Sequence, residues 1–124
     1  MITDNKKAIL IIEDSEINME LCIQILEDHY EIMTACDGVE GVEKAINLQP
    51  DLVLMDLSLP KLNGWEATKK IKKEKKNLPI VALTAHALAG DEERARAAGC
   101  DDYLAKPFVP KQLMDIVEVN LKKT

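Results

Sequence analysis

Short aliphatic runs alternate along this chain with longer stretches whose apolar positions recur three and four residues apart. Ala8–Ile12, Glu31–Ala35, a run ending at Asp56, residues 80–84 and residues 103–105 have strand length. After the first run, Asp14 or Ser15 stands where a helix cap belongs, and Ile17, Leu21, Ile25 and Leu26 follow at helical spacing. Asp37-Gly38 marks a turn, and residues 39–48 predict a helix with Val42, Ala45 and Ile46 on one face, stopped by Pro50. Pro60 and Gly64 bound a loop before a helix over 65–75. Pro79 opens the fourth strand, and a helix over 87–98 follows it and stops at Gly99. Pro110 suits the first turn of a last helix, with Leu113, Ile116, Val117 and Leu121 facing inward. Strand and helix in strict alternation predict an α/β fold on a parallel sheet. The third and fourth runs are almost continuously apolar, as in strands covered on both faces.

Composition narrows the function. A chain of 124 residues, 47% hydrophobic and 31% charged, suits one globular domain and excludes disorder. The pattern fills residues 1–124 and ends one helix after strand five, so a single domain without an output domain is expected. A net charge of −6 opposes binding to nucleic acid. No apolar run approaches the ~20 residues a membrane helix needs. The opening Met1-Ile2-Thr3-Asp4-Asn5-Lys6-Lys7 lacks a signal-peptide core, and a cytoplasmic location is expected. Cys22, Cys36 and Cys100 form neither a CxxC pair nor a zinc spacing and read as reduced thiols, with Cys22 in the core. Lys69, Lys70, Lys72, Lys73, Lys75 and Lys76 read as a solvated helix face, and His29 as plain surface.

The chemistry lies where the strands end. Glu13-Asp14 follows the first strand, Asp56 ends the third, Thr84 closes the fourth and Lys106-Pro107 follows the fifth. Ligands of open α/β sheets bind outside the carboxyl ends of the strands, so these groups should meet at one edge. Each alone has an ordinary reading: a helix-dipole pair, a loop aspartate, a β-branched strand residue, a solvated lysine. Together they form a cluster suited to a divalent cation and a phosphoryl group. A carboxylate held in line with a donor is a competent phosphoryl acceptor. Several carboxylates close together raise one another's pKa unless a cation intervenes, and Mg²⁺ prefers such hard oxygens.

With these motifs in chain order, the sequence resembles the receiver domain of bacterial two-component response regulators. The matching stretches are Ile12-Glu13-Asp14, then Leu54-Met55-Asp56-Leu57-Ser58-Leu59-Pro60-Lys61-Leu62-Asn63-Gly64. Ala82-Leu83-Thr84-Ala85 and Tyr103-Leu104-Ala105-Lys106-Pro107-Phe108 complete the set. The opening Glu-Asp-Ser-Glu-Ile-Asn and the Gly90-Asp91-Glu92-Glu93-Arg94 segment resemble single-domain regulators of the DivK kind and receivers fused to hybrid histidine kinases.

The resemblance implies a flavodoxin-like, doubly wound (βα)5 fold with strand order 2-1-3-4-5. It implies Asp56 as the residue phosphorylated by a histidine kinase or histidine phosphotransfer protein. Asp14 and Asp56 would be direct Mg²⁺ ligands, Glu13 a ligand through water, and the Ser58 carbonyl a third protein ligand. Lys106 would pair with Asp56 before phosphorylation and with the phosphoryl group after it, while Thr84 would donate to a phosphoryl oxygen. Tyr103 would turn inward with Thr84, biasing the face made by the fourth helix, fifth strand and fifth helix. Ser58 and His86 would tune hydrolysis, and the Lys106-Pro107 bond would be cis. Trp65 reads as core packing, with a partner contact as the alternative. The chain would act only on its own Asp56, and its partners would be the kinase or phosphotransfer protein and a downstream protein, such as a kinase regulator or flagellar component.

Other classes fit less well. A haloacid-dehalogenase-type phosphatase wants a carboxylate two residues after its aspartate, and Ser58 stands there. A flavin-phosphate site wants a Ser/Thr/Gly-rich loop after strand one, and Glu13-Asp14-Ser15-Glu16 would repel the phosphate. A degenerate receiver loses the acceptor, the acid pair or the lysine, and all are present.

Overall fold

Continuous burial along the central strands builds the architecture. The structure, a computed structural model, describes residues 6–57, 59, 62–84 and 91–122. In chain order it forms β1 (Ala8–Ile12), α1 (Glu16–Leu26), β2 (Glu31–Ala35), α2 (Gly38–Asn47), β3 (Leu52–Asp56), α3 (Gly64–Glu74), β4 (Ile80–Thr84), α4 (Asp91–Ala98), β5 (Asp102–Ala105) and α5 (Pro110–Lys122). All strand pairs are parallel, in the order β2-β1-β3-β4-β5. The expected fold class and strand order are therefore present.

Side chains alternate across a strand, so each central strand feeds two cores. Ile9, Ile11, Leu52, Leu54, Val81 and Leu83 join Cys22 and Leu26 of α1 and Leu113 and Val117 of α5. Leu10, Ile12, Val53, Met55, Ile80 and Ala82 join Ala45 of α2, Ala67 and Ile71 of α3 and Ala95 of α4. Helices α1 and α5 thus cover one face, and α2, α3 and α4 the other.

Helix ends follow local chemistry. Ser15, Asp37 and Asn63 cap α1, α2 and α3, each accepting a backbone N–H three residues on. Gly99 ends α4 at φ 110°, a left-handed conformation that favours glycine. The α2 helix ends at Asn47, before Pro50, and Gln49 takes φ 51° to leave it.

The apolar positions that recur along α1 do not all share its buried face. Ile17 is 82% exposed and Leu21 42% exposed, while Cys22 and Leu26 are buried. At 3.6 residues per turn Ile17 lies about 140° around the helix from Cys22, so a stripe through Ile17 cannot share the buried face. On α5 the inward set gains Asn120, which is fully buried. Its amide donates to Asp102 Oδ2 at 2.9 Å and to the Ile116 carbonyl at 2.8 Å.

Candidate functional site

The backbone places the site before any side chain does. Strand order reverses between β1 and β3, and a crevice opens at the carboxyl ends of such a pair. Glu13 follows β1 and donates its N–H to the Ala35 carbonyl of β2 at 3.0 Å. Leu57, after Asp56, donates to Leu83 of β4 at 3.1 Å, and Lys106, after β5, donates to Thr84 at 2.7 Å. The ladder continues one residue past the sheet at each of these strand ends, fixing the residues that carry the chemistry. Helix α3 rests on the same rim. A Cβ on Gly64 would stand 2.5 Å from the Asp56 carbonyl oxygen and 2.6 Å from Leu57 Cα, and the Gly64 N–H donates to Leu57 at 3.2 Å. Only a residue without a side chain permits that approach.

The side chains converge as the strand-end argument requires. Glu13, Asp56 and Thr84 are buried, and Asp14 is exposed. Carboxylate oxygens of Glu13, Asp14 and Asp56 all lie within 4.8 Å of one another. Lys106 Nζ lies 2.8 Å from Glu13 Oε1 and 3.9 Å from Asp56 Oδ2. The expected Asp56–Lys106 pair is therefore the longer of two, and Glu13 is the closer partner. Both carboxylates are enclosed, the Glu13 side chain 1% exposed and that of Asp56 7%. The other Glu13 oxygen accepts the Ser15 N–H at 3.2 Å.

These surroundings push the Glu13 carboxyl up to about 7 from its ordinary 4.5. Burial is the largest cause and the hydrogen bond with Asp56 the next, with Lys106 pulling the other way. The cluster thus carries a charge conflict that a divalent cation would relieve. Its donors are all carboxylate oxygens, the set that Mg²⁺ accepts in an octahedron at about 2.1 Å. The residues fit the ion.

Tyr103 is half-buried, packed against the core on the α2–α4 side. The Lys106–Pro107 bond is cis. Ser58 and His86, expected to tune hydrolysis, lie outside the described residues, as does the Ser58 carbonyl expected on the metal. Two features escaped the sequence reading. A cavity of about 390 Å³ opens beside the Glu13–Lys106 pair, walled by Asn18, Leu21, Cys22 and Phe108. Leu21 and Cys22 are four and five residues from Ile17, so their helical register was legible, but not the β5–α5 turn that brings Phe108 to them. Gly64 carried a signal only as the end of a loop.

Comparison with known proteins agrees with this geometry. Residues 9–118 match the family model of the response regulator receiver domain. The polar-differentiation response regulator DivK of Brucella ovis is 38% identical over 115 residues, covering 90% of this chain and 94% of DivK. A CheY-like receiver domain protein from Methanospirillum hungatei superposes with a TM-score of 0.90 at 30% identity, covering 96% of both chains. The receiver domain of a sensor histidine kinase from Pseudomonas aeruginosa, whose crystal structure holds a magnesium ion in its active-site cleft, superposes with a TM-score of 0.88 at 37% identity. That match covers 94% of this chain and 98% of the other. Receiver domains are as a family phospho-accepting, typically bind Mg²⁺, and work with histidine kinases and downstream targets. With its family match running from β1 into α5, and with the strand order that such a domain requires, this chain belongs to the response regulator receiver domain family.

Proposed function

We propose that this chain is a phospho-acceptor switch whose acceptor is Asp56. The observation that carries the reading is the gathering of Glu13, Asp14 and Asp56 oxygens within 4.8 Å at the carboxyl rim of the sheet, where Lys106 also reaches. A carboxylate oxygen of Asp56 attacks the phosphorus of a phosphohistidine on a histidine kinase or phosphotransfer protein. The new O–P bond forms as the P–N bond breaks, and the electron pair leaves with the imidazole. Glu13, Asp14 and Asp56 would hold Mg²⁺, with the Ser58 carbonyl as the ligand the resemblance adds. Bound there, the ion neutralises charge on the transferring oxygens.

The chain's own groups do the rest. Lys106 turns from Glu13 toward the phosphoryl oxygens, a short reach given its 3.9 Å distance to Asp56. Thr84 donates its hydroxyl to another of those oxygens. Positioning and electrostatics supply most of the acceleration, and burial of Glu13, Asp56 and Thr84 strengthens both. Water later cleaves the acyl phosphate, returning the Asp56 carboxylate and inorganic phosphate, and Ser58 and His86 tune that step. The chain catalyses phosphorylation and dephosphorylation of its own Asp56 and no other turnover.

The output is a change of surface at α4, β5 and α5. Tyr103, half-buried in β5, moves with Thr84 between two packings and biases that face toward a downstream protein. The cytoplasm is the proposed location. Free Cys22, Cys36 and Cys100 suit it, and no helix among the described residues is long and apolar enough to cross a membrane.

The test is transfer from a radiolabelled, phosphorylated histidine kinase in the presence of Mg²⁺. The chain becomes labelled and Asp56→Asn does not, while keeping its melting transition. Labelling of the folded Asp56→Asn variant would sink the assignment.

A further inference from the structure

Trp65 is the chain's only tryptophan, and it sits one residue past the glycine on which α3 is seated. Because Gly64 lies against the backbone of Asp56 and Leu57, the first turn of α3 has little freedom relative to the acceptor residue. The Trp65 ring packs against the core beneath α2, α3 and α4. On its other side lies Arg94 of α4, with Cζ 4.5 Å from the ring centroid. That distance is well inside the range at which a guanidinium is drawn to an aromatic face.

The rest of the α3–α4 contact shows why the stack matters. Arg94, Ala97 and Ala98 share one face of α4 by their three- and four-residue spacing. With Asn63, Trp65, Glu66 and Lys69 they line a cleft of about 200 Å³ between the helices. The alanines are too short to close it. The carboxyl end of α4 is held by close packing: a Cβ on Gly99 would lie 3.1 Å from Lys72 Cγ, and Cys100 Sγ lies 3.7 Å from Thr68 Oγ1. Nearer the amino end, Ala95 is buried below and the Arg94 guanidinium reaches across the cleft to Trp65. Contact therefore runs from the Asp56 backbone through Gly64 and Trp65 to Arg94, on the flank of α4 that faces α3.

We infer that Trp65 and Arg94 are positioning residues of the switch: their stack carries a change at Asp56 directly to α4, by a route separate from Thr84 and Tyr103. This rests on the reading of Asp56 as acceptor. Two consequences follow from the geometry. The emission of Trp65 reports occupation of the site through Arg94, and the occupancy equilibrium depends on the stack, since coupling between two sites is reciprocal.

The experiment uses beryllium fluoride with Mg²⁺ as the phosphoryl mimic, on the full chain. Trp65 emission is followed during titration, and bound fluoride is counted independently by fluorine NMR. In the unsubstituted chain, emission changes as the site fills. In Arg94→Ala the site still fills, the emission change falls by at least half, and apparent affinity for the mimic shifts about two- to fivefold, the scale of an exposed cation–π contact. Arg94→Lys, which keeps a cation, restores part of both. Adding Arg94→Ala to Trp65→Leu shifts the affinity no further. The inference is overturned if filling leaves emission unchanged, if folded Arg94→Ala keeps the whole emission change, or if the two substitutions act additively on affinity. The acceptor reading fails separately, and only if Asp56→Asn still binds the mimic.

Discussion

The two rims of this sheet both carry buried or half-buried acids, and they use them in opposite ways. At the amino rim, Asp51 precedes β3 and Asp101 precedes β5. Asp51 Oδ2 accepts the Ala8 N–H at 2.7 Å while the Asp51 N–H donates to the Ala8 carbonyl at 2.7 Å. Asp101 repeats the arrangement on Ile80, at 2.8 Å in both directions, and adds Lys72 Nζ at 2.7 Å. At the carboxyl rim, Glu13, Asp14 and Asp56 crowd one another and the Glu13 carboxyl is driven up to about 7. The cause is strand polarity. In a parallel sheet every strand offers unpaired N–H groups at one rim and carbonyls at the other. A carboxylate at the amino rim meets donors and becomes a structural cap. At the carboxyl rim an acid can cap the helix that follows, as Asp37 does, but Glu13, Asp14 and Asp56 meet one another and are left needing a cation or a phosphoryl chemistry.

Substitutions at the two rims should therefore separate function from stability. The largest effect is on uptake: Asp56→Asn abolishes phosphoryl transfer measured with a labelled kinase, whereas Asp51→Asn leaves it intact. A loss of uptake in a folded Asp51→Asn variant would break the contrast.

Next comes pH. Glu13 has its folded pKa raised from 4.5 to about 7, so its contribution favours the fold below pH 4.5 and is lost as pH rises through 7. That shift corresponds to a loss of up to about 3 kcal/mol between those limits. Urea denaturation with divalent ions chelated should show the decline, Glu13→Gln should flatten it, and Mg²⁺ at pH 7.5 should offset it by binding the folded state. A decline that survives in Glu13→Gln would place its origin elsewhere.

At the amino rim, Asp51→Ala should cost about 1–3 kcal/mol in the same assay, because it strands the Ala8 N–H. That cost should be independent of Mg²⁺, unlike anything at the other rim. The smallest effect sharpens the contrast from the site side. Ser15 supplies the α1 cap, its Oγ accepting the Asn18 N–H at 3.3 Å. Ser15→Ala should cost about 1 kcal/mol of stability and leave phosphoryl uptake within about twofold.

Particular residues show where sequence reading succeeds. Each central strand was legible because runs such as Ile80 to Leu83 must be covered on both faces, and they are. Gly99 and Pro110 were legible because backbone restriction is a property of the residue itself. The exposure of Ile17 was not legible because helical spacing gives a stripe without saying which neighbour lies beneath it; the face of α1 was chosen by the sheet and α5. Asn120 was invisible as a core residue because its burial depends on Asp102 and the Ile116 carbonyl accepting its amide. The same holds for Lys106, whose nearer partner is one of two carboxylates 43 residues apart in sequence that only the fold brings together.

By itself the sequence determined the alternation of strands and helices, and with it the gathering of Glu13, Asp14, Asp56, Thr84 and Lys106 on one rim, because residues ending parallel strands have nowhere else to go. Only the folded chain decided that Lys106 rests on Glu13, that α1 leaves Ile17 in solvent, and that Arg94 stacks on Trp65. Those are contacts between elements distant in sequence, set by competing burial and charge, and no local pattern encodes which competitor prevails.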